Sequence, residues 1–247
     1  QEEIVRLVYE RESITVAELK EILNTSESTI RRDIITLDKE GRLTKVFGGA
    51  IALHPAQIVN KELSMVQKQE LQTTEKQAIA RYAASLIEPD DCVYLDAGTT
   101  TGWMIEYIRQ EKATYITNAL SHAKRLADKG FSVILIGGEP KSSTDAIVGG
   151  EAVLNLQKYH FSKGFFGVNG VDRLSGFTTP DVKEAVVKQA AVKNTQPAHR
   201  YFLTTSSKFG EVYAVTFAGF EGGTILPEDN VREVLPKSIE IINVTQQ

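Results

Sequence analysis

Two stretches of the chain carry residue types whose spacing could do chemistry. The first is Ser26-Glu27-Ser28-Thr29-Ile30-Arg31-Arg32-Asp33. Small hydroxyl residues at a helix N-terminus donate to phosphates or base edges, and they let the helix end approach a DNA groove closely. Ser26, Ser28 and Thr29 fill that place, and Arg31 and Arg32, one turn on, reach guanine edges or backbone phosphate. The second is Asp96-Ala97-Gly98-Thr99-Thr100-Thr101, between the apolar run CVYL and a helical stretch. A Gly/Thr loop in that position offers backbone N–H groups, hydroxyls and the positive helix end to an anion. It lacks the lysine of a Walker A loop and the spacing of GxGxxG, which disfavours nucleotides.

Further polar or glycine residues follow other apolar runs: Asn118, Gly137-Gly138, Gly167 to Gly170 with Asp172, and Ser206-Ser207-Lys208. Ligands of open α/β sheets bind outside the carboxyl ends of strands, so these pieces could converge on one pocket. Each has a plainer reading. Gly137-Gly138 would serve equally as a turn and Asn118 as a helix cap. Lys208 would serve as a surface lysine, although its place after a strand end and two serines favours a phosphate contact. Cys92 reads as core, and Trp103 as packing against the linker or a partner subunit. The four histidines are scattered and make no metal cluster, and no cofactor is expected.

The elements that must position these residues follow from periodicity. Ile4, Leu7 and Val8 share a helical face. Thr15 with Glu18 is a capping box ahead of Val16, Leu19, Ile22 and Leu23. Ser26 caps a third helix carrying Ile30, Ile34 and Leu37, which Gly41 stops. Alternation then resumes through Leu43, Lys45 and Phe47, with Gly48-Gly49 as the turn before Ile51 and Leu53. Three helices and a two-stranded wing make a winged helix-turn-helix over 1–55. Residues 56–73 read as a partly helical linker with scattered Ile58, Leu63, Met65 and Val66. Thr74 with Gln77 opens the next helix, ahead of Ile79, Ala83, Leu86 and Ile87. From there to 247 the strands CVYL, TYIT, VILI, GFFGV and YFLTT alternate with helical stretches at 102–110, 121–129, 151–158 and 182–195. That pattern predicts an α/β domain with a largely parallel, doubly covered sheet.

Length and composition allow a small domain plus a medium one: 247 residues, 42% hydrophobic, 24% charged. They exclude a disordered or fibrous chain. No apolar run is long enough for a bilayer, and no basic segment followed by an apolar one opens the chain, so a cytoplasmic protein without membrane contact is expected. One cysteine excludes an internal disulfide. Net charge is −4, and residues 1–56 hold 8 cations against 10 anions, a composition that by itself argues against nucleic acid. The cations, Lys45 among them, nevertheless gather in the third helix and wing. Weak binding by one such unit implies two or more copies, hence a homo-oligomer, dimer or tetramer, on double-stranded DNA.

The stretch SESTIRRDIITLDKEGRLTKVFGGA resembles the DNA-binding signature of the DeoR family of bacterial transcriptional regulators, departing from it at Phe47, where the family carries histidine. The segments DAGTTT, GG at 137–138, GFTTPDVKEAVVKQ and SSKFGEV resemble the family's sugar-phosphate-sensing domain, itself similar to ribose-5-phosphate isomerase. The resemblance covers essentially the whole chain. It implies a phosphate held by Gly98, Thr99, Thr100 and Lys208, with Asp96, Asp172 and Lys188 near the sugar, and an operator read by the N-terminal domain. Leu203-Thr204-Thr205 stands where the family reads LAD, so an acidic contact there is missing or replaced. Within the family, YLDAGTTT, AIVGGEAV, KYHFSKGFFGVNGV and GFTTPDVKEAVVKQ are most like regulators of fructose operons, which answer to fructose 1-phosphate. Tagatose 6-phosphate satisfies the same inventory of groups. Three readings follow: a repressor of a sugar operon relieved by a sugar phosphate, a phosphosugar isomerase with an appended DNA-binding domain, and a regulator whose second domain chiefly oligomerises. The similar isomerases carry a glutamate where this chain has Lys188, which disfavours catalysis.

Overall fold

The computed structural model describes residues 1–52, 57–59, 67–68, 71–229, 231, 235 and 239–246. Most of the expected linker, with Leu63, Met65 and Val66, lies outside the described residues, as do Leu53, His54 and Pro55. The chain divides into two compact units, Gln1–Ala56 and Gln57–Gln247.

In the first unit α1 (Glu2–Arg11), α2 (Val16–Leu23) and α3 (Glu27–Lys39) bury Ile4, Leu7, Val8, Val16, Leu19, Ile30, Ile34 and Leu37 in one core. Both expected caps form. Thr15 and Glu18 close a reciprocal capping box on α2, and Ser26 Oγ accepts from Thr29 N–H at the start of α3. Asn24, in the left-handed region, ends α2. At the other end of α3, Gly41 N–H donates to the Asp38 carbonyl and Arg42 N–H to that of Leu37, the paired bonds that a left-handed glycine makes possible.

The wing differs from expectation twice. A third strand, β1 (Ser13–Thr15), pairs antiparallel with β3 (Gly49–Ile51), which pairs in turn with β2 (Thr44–Val46). Three residues are too short for a period-2 signal, so periodicity alone does not reveal β1. Val46 pairs with Gly49, which makes Phe47-Gly48 the turn instead of Gly48-Gly49. Gly49 is a strand residue, and a Cβ on it would lie 2.3 Å from the Ile14 carbonyl oxygen.

The second unit is built on a seven-stranded parallel sheet in the order β17-β16-β13-β10-β5-β6-β7, with β5 Cys92–Leu95, β6 Thr114–Thr117, β7 Ser132–Leu135, β10 Lys163–Gly167, β13 Arg200–Leu203, β16 Thr224–Leu226 and β17 Glu240–Ile241. Alternation splits its side chains between two cores. Val93, Leu95, Tyr115, Phe165, Tyr201 and Leu203 pack with α4 (Thr73–Ser85), α5 (Thr99–Tyr107) and α6 (Leu120–Asp128). Tyr94, Ile116, Phe166 and Phe202 pack on the opposite face with α7 (Gly150–Leu156) and α8 (Val182–Lys193). The sheet is therefore parallel and doubly covered, as the near-continuous apolar strands require. A hairpin β8 (Glu139–Lys141) and β9 (Ala146–Val148), and a small antiparallel sheet of β11 (Gly170–Asp172), β12 (Gly176–Thr179) and β15 (Val215–Ala218), flank it. Near the start of the unit β4 (Gln57–Ile58) pairs parallel with β14 (Glu211–Val212). The helix expected to open at a Thr74–Gln77 capping box begins earlier, after Gln72, which is left-handed (φ 52°) and makes no side-chain cap. Among the described residues no helix is long and apolar enough to cross a membrane.

Gly49→Val forces a side chain against β1 and should destabilise the first unit by about 1–3 kcal/mol, the cost of overpacking a tight site. Hydrogen exchange in the full chain reads this as faster exchange at 13–15 and 44–51, with the strands of the second unit unchanged.

Candidate functional site

At the start of α3 the three hydroxyls gather on one spot. Ser26 Oγ lies 2.9 Å from both Ser28 Oγ and Thr29 Oγ1, all on exposed residues. Arg31 is held along the helix by Glu27, its Nε and Nη2 donating to Oε1 at 2.8 and 2.6 Å. Arg32 is exposed, and its side chain has no partner among the described residues. The Lys45 backbone N–H donates to Asp38 Oδ1 at 2.8 Å, which fixes the base of the wing and leaves the lysine side chain exposed. Phe47 at the wing tip is fully exposed. The helix end, both arginines and the wing thus present hydroxyls and cations to solvent, on a unit half of whose acids sit on α1 and α2.

In the second unit the carboxyl ends of β5 and β10 meet. Asp96 follows β5 and is 1% exposed. Its Oδ2 accepts from Gly167 N–H at 2.9 Å and from Lys188 Nζ, whose remaining bond is to the Gly167 carbonyl at 3.0 Å. Lys188, 6% exposed on α8, also lies 5.3 Å from the centre of the Phe217 ring. A buried ion pair of this kind survives desolvation only because each charge has further partners. Gly98 belongs to the same junction: a Cβ on it would lie 3.2 Å from Thr101 Oγ1 and 3.4 Å from Gly167 Cα. Thr101 Oγ1 donates to the Asp96 carbonyl (2.6 Å) and accepts from Gly98 N–H (3.0 Å), so this third threonine shapes the loop. The hydroxyls of Thr99 and Thr100 have no partner among the described residues, and the first-turn amides of α5 have no intrahelical acceptor.

Lys208 enters from the turn after β13 and donates to the carbonyl of Val168, the residue after β10. Its ammonium has no other partner among the described residues. Burial, reinforced by the charges of Lys76, Lys68 and Lys188, pushes its pKa down to about 7, and Glu211 offsets this only in part. Lys76, 3% exposed in the first turn of α4, donates to the carbonyls of Lys68 and Leu71. Lys208, Lys76, Lys68 and Lys188 are thus close enough to interact electrostatically at Lys208, and Lys188 is paired with the buried carboxylate of Asp96. Lys76 and Lys68 escaped sequence reading because a lysine in a polar, Gln/Lys-rich stretch looks solvated. A lysine sharing a helix with Ile79, Ala80 and Ala83 was the available signal.

Other expected site residues fall elsewhere. Asp172 is a turn residue: its Oδ1 accepts from Leu174 N–H (3.0 Å) and Ser175 N–H (2.8 Å) at the tip of the β11–β12 hairpin. Asn118 is 2% exposed and fully engaged, accepting from Tyr94 Oη (3.0 Å) and donating to the Ile147 carbonyl (3.2 Å). It does not cap α6. Gly137-Gly138 forms a close approach to the β8–β9 hairpin, since a Cβ on Gly138 would lie 2.7 Å from the Val148 carbonyl oxygen. Where the acidic contact of the LAD pattern is absent, Thr205 Oγ1 donates to Gln72 Oε1 (2.8 Å), and Glu228 accepts from Ser206 N–H and Oγ. Trp103 lines a cavity of about 360 Å³ between α5 and α6, with Thr99, His122 and Arg125. There the buried His122 imidazole is held neutral, its pKa pushed down to about 4 by burial and by Arg125, and its Nδ1 has no partner. Among the described residues no cluster could hold a metal ion.

A winged helix-turn-helix joined to a parallel α/β unit with lysines gathered at its strand ends is the architecture of a DNA-binding regulator with a sensor domain. Residues 1–56 match the DeoR-like helix-turn-helix domain and residues 71–230 the DeoR C-terminal sensor domain, so the chain belongs to the DeoR family. It is 42% identical to the uncharacterized HTH-type transcriptional regulator FruR of Bacillus subtilis, over 92% of this chain and 88% of that protein. It is 39% identical to a lactose phosphotransferase system repressor of Staphylococcus aureus, over 85% and 83% of the two chains. A comparison with solved structures finds a partial similarity to ribose 5-phosphate isomerase A of Methanocaldococcus jannaschii, with a TM-score of 0.39 and 13% identity over 54% of this chain and 53% of that one.

Lys208 should titrate near pH 7, charged below and neutral above, while exposed lysines titrate near 10.4. Lysine side-chain NMR checks this. Lys76→Met, which removes a repelling charge, should raise the value, and Glu211→Gln should lower it. A Lys208 signal titrating with the exposed lysines would contradict the crowding.

Proposed function

We propose that this chain represses a sugar-utilisation operon by binding double-stranded operator DNA, and that a sugar phosphate releases it. The observation that carries the reading is Lys208, whose ammonium makes one hydrogen bond, to the Val168 carbonyl just after β10, in the same unit as the unpartnered Thr99 and Thr100 hydroxyls at the start of α5, in a chain that also carries the exposed hydroxyls and arginines of α3. A phosphate monoester placed there receives the amides and hydroxyls of Thr99 and Thr100 and the Lys208 ammonium. Its negative charge relieves the repulsion that lowers the Lys208 pKa, so binding takes up a proton above about pH 7. Gly98 and the Asp96–Lys188 pair hold the frame.

The same pair argues for binding without turnover. Isomerisation through an enediol needs a free general base near the C1/C2 protons, and Asp96 is neutralised by Lys188. Fructose 1-phosphate is the leading effector, on the likeness to the regulator named FruR. Tagatose 6-phosphate is the alternative, favoured by the likeness to lactose phosphotransferase system repressors. The protein acts in the cytoplasm as a dimer or tetramer, because a single acidic unit with a few exposed cations binds DNA weakly.

Fluorescence anisotropy with a duplex selected from a random-sequence pool, titrated with fructose 1-phosphate, tagatose 6-phosphate and fructose 6-phosphate, tests the reading. Release by fructose 1-phosphate at the lowest concentration is expected, and no release by any of them would refute it. Arg32→Ala should weaken operator binding by about 1–3 kcal/mol for each guanine edge that the arginine reads. Affinity unchanged within twofold at fixed salt would remove α3 from the groove.

A further inference from the structure

Resting on that reading, we infer that the cavity between α5 and α6 takes the sugar of the effector: the phosphate sits on the first turn of α5, and Trp103, His122 and Arg125 read the hydroxyls beside it.

Of the residues expected around the sugar, Lys188 is bound to Asp96 and Gly167, and Asp172 to its own hairpin. Hydroxyl recognition therefore needs other groups. The cavity of about 360 Å³ supplies them next to the Gly/Thr loop, because Thr99, at the start of α5, is one of its walls. Its size falls within the range of small-molecule sites.

Gly102, in the interior of α5, also lines the cavity. Glycine weakens a helix at such a position. A Cβ there would lie 2.8 Å from His122 Nε2 and 3.4 Å from Arg125 Nη1, so two nitrogen atoms stand over one bare point of the backbone. Arg125 donates from Nη2 to Glu106 Oε1 at 2.9 Å, and its Nη1 has no partner among the described residues. His122 is held neutral by burial, and no hydrogen bond to Nδ1 fixes which nitrogen carries the proton. Its Nε2 can therefore donate to a ligand hydroxyl or accept from one. The Thr99 hydroxyl is open at the loop end, and Glu106, shared by Arg125 and Lys129, offers a carboxylate at the other. Trp103 is half-buried along the same wall. Donors and acceptors on neutral groups and on an ion pair already made, with an indole among them, suit a polyhydroxyl compound: hydroxyls both give and take hydrogen bonds, and the C–H face of a sugar packs on the ring.

Trp103 is the single tryptophan of the chain, so the intrinsic emission of the full-length protein reports on this cavity directly. Fructose 1-phosphate or tagatose 6-phosphate should change that emission saturably, whereas free fructose should need at least a hundredfold higher concentration. Calorimetry with the same sugar phosphate and with inorganic phosphate separates the two ends of the ligand. Gly102→Ala, which favours the helix but fills the point under the two nitrogens, should weaken the sugar phosphate at least fivefold and inorganic phosphate less than twofold. Arg125→Met, at a half-exposed position, should do the same and serves as the second variant. Sugar-phosphate binding that leaves the emission unchanged, or that both variants weaken no more than they weaken inorganic phosphate, would overturn the inference while leaving the sensor reading standing. Free fructose acting at the same concentration as the sugar phosphate would overturn it too, by separating the cavity from the phosphate. No calorimetric binding of any of these probes would overturn the sensor reading itself.

Discussion

The buried pair of Asp96 and Lys188 is the constraint on which the rest of the sensor unit depends. It ties the end of β5 to α8 and, through both backbone atoms of Gly167, to the end of β10. With those three elements fixed, Gly98 is brought against Gly167, where a Cβ would lie 3.4 Å from the Gly167 Cα, and α5 starts at that junction. The pair also settles which lysine is left to act on a ligand. Lys188 is compensated, whereas the half-buried Lys208 and the buried Lys76 hydrogen-bond only to backbone carbonyls among the described residues. Such uncompensated burial costs stability, and here the compensation fits an anionic ligand.

Much of this was legible in the residues. CVYL and TYIT are strands at the very positions where the apolar runs stand, and VILI, GFFGV and YFLTT differ from the observed strands by one or two residues at their ends. Central strands buried on both faces leave a continuous apolar signature, so their positions are hard to mistake, whereas VILI marks the edge strand β7, with Ile134 and Leu135 exposed. The caps at Thr15 and Ser26 were equally plain, because a local hydrogen bond is encoded by a local pattern. The capping signature at Thr74 failed for a related reason: a pattern four residues long recurs by chance, and the real start is set by the contacts of Gln72 with a loop more than 130 residues away.

The site was half legible for the same reason. Asp96, Gly98, Thr99 and Thr100 lie on one loop, and Lys188 and Lys208 were placed near it by likeness to the family. Asp172 and Asn118 were chosen as polar residues beyond strand ends, yet an aspartate can accept from its own hairpin and a buried asparagine can serve a tyrosine. Only the folded chain shows which polar side chains are already satisfied. Lys76 is the converse case, a charged residue that looks solvated in the sequence and is buried in the fold.

Sensor and reader are joined by linkage: if a sugar phosphate lowers operator affinity by some factor, the operator must lower sugar-phosphate affinity by the same factor. Isothermal titration of fructose 1-phosphate into the free protein and into its operator complex, set beside operator dissociation constants with and without saturating fructose 1-phosphate, measures both sides of that cycle. Two equal factors, each of at least tenfold, are the predicted result. A sugar phosphate that binds the free protein and the operator complex equally tightly would contradict the account.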